Sequence, residues 1–281
     1  MTVLKTRISL GSAMLALFFG ILYLDNLLST DIFIGLVALF IGSVGLLEFY
    51  KMAEEEGVSP FRIPGVICGI VIFVNVWLST RGDQASSYHL LNTGAIVILV
   101  FAAFVVQGLR GDFSNALKDI SVTIFGVLYV FFFLSFLMAL YHLPGGNGVF
   151  DFLFVVLVSK VADIGGYLFG RKFGKHKLSP RISPKKTVEG LVCGLVLSVI
   201  VAWLLCLLTG KWIISWPWLT PFALIVALAG VFGDLAESLL KRSANVKDSG
   251  NYIPTFGGAL DVIDSLLISM PVAYYFLVFV K

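Results

Sequence analysis

The chain has 281 residues, of which 58% are hydrophobic and only 13% charged, with a mean hydropathy of +0.97. Soluble domains carry roughly 25% charged residues, so the composition excludes a soluble globular protein and indicates a polytopic membrane protein. The formal net charge of +3 comes with no basic arm for nucleic acid, and the three cysteines lie in apolar runs without metal or disulfide spacing.

Lys5 and Arg7 precede an apolar run from 8 to 24, which resembles a signal peptide but lacks a small-x-small cleavage site and reads as a retained first span. Further runs long enough to cross a bilayer as helix cover 32–50, 63–79, 89–107, 120–142, 149–169, 188–209, 218–240 and 264–280. The expected fold is therefore all-α, with about nine transmembrane helices. With the N-terminus inside, the inner segments carry Lys51, Arg62, Arg110, Lys118, the basic cluster between 171 and 186, Lys241, Arg242 and Lys247. Only Arg81, Lys211 and Lys281 fall outside. That asymmetry places the N-terminus and the large polar loops in the cytoplasm of an inner or plasma membrane protein and the C-terminus outside.

Residues 1–145 read as scaffold spans, whose charges at Glu48, Glu54 to Glu56 and Asp112 are expected to be solvated caps; the outer connections show nothing catalytic. Residues 146–281 hold the functional polarity. Lys160 and Asp163 stand at i and i+3 in the sixth span, available either as a neutralising pair or, if Asp163 faces a wet cavity, as a metal or substrate site. The basic loop that follows has two Ser-Pro pairs favouring turns, then Ser183, Lys185, Lys186, Thr187 and Glu189 just before a span. Hydroxyls, ammonium groups and a helix N-terminus converging there would form a phosphate site at the membrane surface, although an anionic-lipid contact is the plainer reading of a basic loop alone. His176 is expected at the surface.

Residues 234–264 crowd charge into an oily sequence. In a helix over 222–242, Asp234, Ser238 and Lys241 share one face at i, i+4 and i+7, and Asp261 and Asp264 pair at i and i+3 near the start of the last span. Lys247, Asp248, Gly233, Gly250, Gly257 and Gly258 lie between or beside them, where glycines let backbone approach a bulky anion. Carboxylates at two helix ends, lysines and a glycine-bearing loop suit the holding of Mg²⁺ and a polyphosphate.

This stretch resembles the C-terminal signature of the phosphatidate cytidylyltransferases, or CDP-diacylglycerol synthases. Ser238, Leu240, Lys241, Arg242, Lys247, Asp248, Gly250, Ile253, Pro254, Gly257, Gly258, Asp261, Ile263 and Asp264 fall in register, and Asp163 to Gly190 resembles an upstream segment of that family. Phe256 and Val262 stand where the pattern has His and Arg, and Ala259 is a milder change. The resemblance implies transfer of the cytidylyl group of CTP to phosphatidate, with Mg²⁺ required. It implies that Asp234 and Asp261 ligate metal, with Asp163 a further candidate, and that Asp264 joins the catalytic set. Ser238 and Lys241 would touch phosphate, Lys247 and Asp248 would shape the nucleotide loop, and Arg242, Gly257 and Gly258 would also bind substrate. Ser183, Lys185, Lys186 and Thr187 would hold either lipid headgroup or triphosphate. The alternatives are a CTP-dependent lipid kinase of polyprenol or phytol type, and an ion-coupled carrier using Lys160, Asp163, Asp234 and Glu237. A homodimer rests on membrane-enzyme habit alone.

Overall fold

The structure, a computed structural model, describes residues 2–81, 85–111, 113–250 and 257–280. Apolar runs become long helices, two of which continue through an internal proline, Pro221 in α9 and Pro271 in α10: α1 (Thr2–Leu27), α2 (Ile32–Glu55), α3 (Arg62–Arg81), α4 (Ala85–Arg110), α5 (Ala116–Val127), α6 (Phe133–Tyr141), α7 (Val149–Phe173), α8 (Val188–Thr209), α9 (Trp216–Ser243) and α10 (Ala259–Val280). A single π-turn, Leu128–Phe132, joins α5 to α6 without interrupting the fifth span. Among the described residues, seven stretches are long and apolar enough to cross a membrane: α2, α3, α5 through α6, α7, α8, α9 and α10. The expected first and fourth spans coincide with α1 and α4, whose described apolar parts, Ala16–Leu27 and Gly94–Arg110, are shorter.

One departure from pure helix lies at the basic loop. Strands β1 (Lys177–Ser179) and β2 (Ser183–Thr187) pair antiparallel, Ser179 opposite Ser183, so the Ser-Pro pairs do close a turn, and that turn shapes a hairpin. Thr187 ends the hairpin and caps α8, its Oγ1 accepting the Gly190 N–H at 3.2 Å.

α7 and α8 meet along small residues. Gly166 and Gly170 face Gly190 and Gly194, and a Cβ built at Gly165 would lie 3.1 Å from the Gly194 Cα. Within a bilayer, where apolar burial hardly favours helix pairing, such backbone approach gives van der Waals contact that bulky residues forbid. α10 packs on α9, α7, α2 and α6, so the last span is held between both halves of the chain.

The connections sort onto two ends, as the alternation of spans requires. At one end Asp31 accepts the Trp77 indole N–H at 2.5 Å, the Arg81 Nε–H at 3.0 Å and the His142 ring nitrogen at 2.6 Å, which unites three connections expected to lie outside. At the other end Ser59 N–H donates to Asp119, and Asn245 donates to Glu56, uniting segments expected inside.

Candidate active site

The sites read from the sequence converge at this second end, where α7, β2, α9 and α10 come together. β2 brings Lys186 Nζ to 2.7 Å from Asp234 Oδ2, an ion pair without hydrogen-bond alignment, linking two segments that the sequence alone treats separately. Ser238, one turn beyond Asp234, donates to its Oδ1 at 3.3 Å. A cavity of about 230 Å³ opens there, with Asp163, Ser183, Lys185, Lys186 and Asp234 at its polar end and Leu178, Leu191 and Val231 among its apolar walls. Thr187 also lines it, with its hydroxyl committed to the α8 cap.

The intrahelical Lys160–Asp163 pair does not form. Lys160 reaches across to α10, donating to the Val262 carbonyl at 3.0 Å and lying 3.4 Å from Asp264 Oδ1, because a lysine stem spans an interhelical gap that leaves the ammonium partly wet. Val262, which stands where the pattern has Arg, lends its carbonyl to Lys160, the cation beside Asp264. Asp163, released from Lys160, turns into the cavity, and its Oδ1 is buried without a hydrogen-bond partner. A buried carboxylate oxygen left unpaired costs free energy unless a ligand satisfies it.

Lys241 leaves the Asp234–Ser238 pair. Its Nζ sits 2.6 Å from both Glu237 Oε2 and Asp261 Oδ1, so α9 and α10 are clasped by one ammonium between two carboxylates. Asp261 is saturated: Oδ2 accepts the Gly258 N–H at 2.7 Å, the Ser249 N–H at 3.1 Å and the Ser249 hydroxyl at 2.8 Å. The Gly258 bond is the backward-reaching half of a capping box, from the third residue of α10 to the residue before it. Gly257 adopts φ +96°, a conformation costly for any residue with a Cβ. Arg242 is exposed and donates to the Ile182 and Val246 carbonyls, tying the hairpin turn to the signature loop. Lys247 and Asp248 are exposed beside a second, more polar recess lined by Lys51, Glu55 and Ser249. Phe256, with Ile253 and Pro254, lies outside the described residues.

Three further residues take part: Glu48 and Tyr129 carry no signal at local spacing, whereas Glu237 stands one turn before Lys241 at i,i+4. Glu48 is expected as a solvated cap, yet it is 1% exposed and accepts bonds from Ser249, Ala259 and Leu260; its partners are more than 200 residues away, beyond any helical periodicity. The acidic neighbours Glu54 and Glu56 do face water, paired with Arg62 and Asn245, while Asp112 lies outside the described residues. Glu237 is fully buried, with Oε1 unpaired. Tyr129 carries a buried, unpartnered hydroxyl on the π-turn. π-turns recur at functional sites because they re-aim a side chain.

No group of three His, Cys, Asp or Glu side chains is set to hold an ion by itself among the described residues. Mg²⁺ commonly uses one or two carboxylates and completes its shell with water and substrate phosphates. Asp163, with its free oxygen, and Asp234 fit that donor set; Asp261 could enter it only by yielding Lys241.

Carboxylates interleaved with lysines, lining a cavity between spans whose other walls are apolar, define an integral membrane enzyme that handles phosphate. The sequence model of the cytidylyltransferase family matches residues 5–280, and the chain belongs to that family; it is a nucleotidyltransferase. It is 30% identical to a phosphatidate cytidylyltransferase of Chlamydia pneumoniae over 280 residues, covering 96% of this chain and 91% of that relative. It is 32% identical to one of Staphylococcus saprophyticus, covering 89% and 92%, and 40% identical to one of Thermotoga maritima over a shorter 167-residue stretch, covering 58% and 61%.

Proposed function

We propose that this chain joins CTP and phosphatidate to give CDP-diacylglycerol and pyrophosphate at the cytoplasmic face of the membrane. A phosphate oxygen of phosphatidate attacks the α-phosphorus of CTP; the new P–O bond forms as the bond from that phosphorus to the bridging oxygen breaks, and pyrophosphate leaves. The observation that carries this reading is the cavity whose polar end presents Lys186, Asp234 and Asp163 and whose walls are apolar. Such a cavity suits a ligand with an anionic head and a hydrocarbon tail.

Phosphoryl and nucleotidyl transfer ask mainly for positioning and charge neutralisation. Lys185 and Lys186 would meet phosphate as the substrate displaces the Lys186–Asp234 pair, and Ser238 would donate to a phosphate oxygen. Lys241, clamped between Glu237 and Asp261, keeps its charge fixed beside the reacting groups. Asp163 and Asp234 would hold Mg²⁺, and Asp261 would join them only by releasing Lys241. The ion, when bound, neutralises phosphate charge and polarises the attacked phosphoryl group.

The test is product analysis with purified protein, phosphatidate and CTP labelled at either the α- or the γ-phosphorus. The α-label should pass to lipid and the γ-label to pyrophosphate, and a chelator should stop both until Mg²⁺ is restored. Transfer of the γ-label to lipid with release of CDP would make the enzyme a lipid kinase instead. Product formation that survives complete metal removal would overturn the Mg²⁺ assignment alone.

A further inference from the structure

The carboxylate of Glu48 comes from α2, in the half of the chain that otherwise reads as scaffold, and ends inside the signature. Its Oε1 accepts the Ala259 N–H at 3.0 Å; its Oε2 accepts the Leu260 N–H at 2.9 Å and lies 3.1 Å from the Ser249 hydroxyl. Ala259 and Leu260 begin α10, whose first amide groups have no partner within the helix, so a carboxylate here satisfies exposed donors and the helix dipole together. The same Ser249 hydroxyl is 2.8 Å from Asp261 Oδ2. It has one proton for two carboxylates, so Glu48 and Asp261 are coupled through it. The glycines around it are explained by the same group: a Cβ at Gly250 would run into the Glu48 carboxylate, and one at Gly258 would run into both Ser249 Oγ and Glu48.

We propose that Glu48 is a positioning residue for the transferase, seating the first turn of α10 and Ser249 so that Asp261 stays aligned against Lys241. The proposal rests on the reading of Asp261 as part of the active site. Glu48 touches neither substrate in this account; it acts through Ser249 and the α10 amides.

The test compares Glu48→Gln, Ser249→Ala, their double variant and Asp261→Asn in the full-length protein, with rates normalised to the folded fraction from a thermal melt. Glu54→Gln, a half-buried position on the same helix whose carboxylate pairs with Arg62 and not with the signature, is the control. Glu48→Gln keeps the volume and one acceptor oxygen but turns an NH₂ toward Leu260 and Ser249, or toward Ala259. We expect a fall in kcat of about 10- to 100-fold, the range for residues that orient a ligating group. Loss in the double variant should be well short of the product of the two single losses, since both act on Asp261 by one route. Glu54→Gln should match the parent. If Glu48→Gln leaves too little folded protein, Glu48→Asp carries the same comparison, with partial recovery expected relative to Glu48→Ala. Full activity of Glu48→Gln beside a dead Asp261→Asn, or multiplicative losses, would overturn the positioning role while leaving the site intact. An active Asp261→Asn would instead remove Asp261 from the site, and an inactive parent would remove the proposed reaction.

Discussion

At the scale of single residues, the site is a set of lysines facing acids: Lys160 pairs with Asp264 and Lys186 with Asp234, while Lys241 is shared between Glu237 and Asp261. Removing one partner of a buried ion pair strands the other, which costs far more than the pair contributes. Asp261→Asn keeps the shape but weakens four interactions at once; Glu237 still pairs with Lys241, so the ammonium is not stranded, and turnover is expected to fall at least ~100-fold while the detergent-solubilised protein stays folded with a melting temperature lowered by several degrees. An active variant would take Asp261 out of the chemistry. At the opposite end of the molecule, His142 is held below its ordinary value of 6.5 by burial and by Arg81. It is therefore neutral when folded and more readily protonated when unfolded, so its contribution to stability is present above about pH 6.5 and is lost as the pH falls below that. His142→Gln should flatten this part of the stability profile measured by thermal melts between pH 5 and 8.

At the scale of elements, the spans were legible because hydropathy reports them directly, and α8 begins and ends where the apolar run does. The hairpin was less so: its Lys-rich sequence has little strand signal, and pairing of Lys177 with Thr187 is set by the turn at the Ser-Pro pairs. The site residues on one helix were legible by their spacing, as with Asp234 and Ser238. Those that bond across helices were not, since Lys160 and Asp264 are 104 residues apart and nothing in a local pattern links them. The same logic hid Glu48. The α7–α8 seam makes a prediction at this scale: at Gly194 an added Cβ would strike the Ala162 carbonyl, so Gly194→Ala should push the helices apart and destabilise by roughly 1–3 kcal/mol. Because Asp163 is carried on α7, activity should fall together with the melting temperature, and a variant as stable as the parent would contradict the close packing. Lys186→Met, which removes the ammonium facing Asp234 but keeps the stem, should raise the KM for lipid or nucleotide while the protein stays folded, since Asp234 keeps the Ser238 hydroxyl.

At the scale of the whole molecule, polarity is distributed asymmetrically. One end carries a closed network in which Asp31 is satisfied by Trp77, Arg81 and His142; the other holds the cavity, the hairpin and the signature loop. A lipid substrate and a water-soluble nucleotide can meet only where spans border an aqueous face, which is where the carboxylates lie. The bias of Lys and Arg toward that end predicts that it is cytoplasmic. A cysteine introduced at Lys247 should therefore resist a membrane-impermeant thiol reagent in intact cells and react after lysis, while one at Lys211 should react in both. The central claim is that Asp163, Asp234 and Lys186 around one cavity carry the transfer of a cytidylyl group to phosphatidate. Its most direct test is the formation of CDP-diacylglycerol and pyrophosphate by purified parent protein and by a folded Asp234→Asn variant under the same conditions. Equal amounts of both products from the parent and almost none from the variant are expected; undiminished synthesis by Asp234→Asn would contradict the assignment of this cavity as the active site.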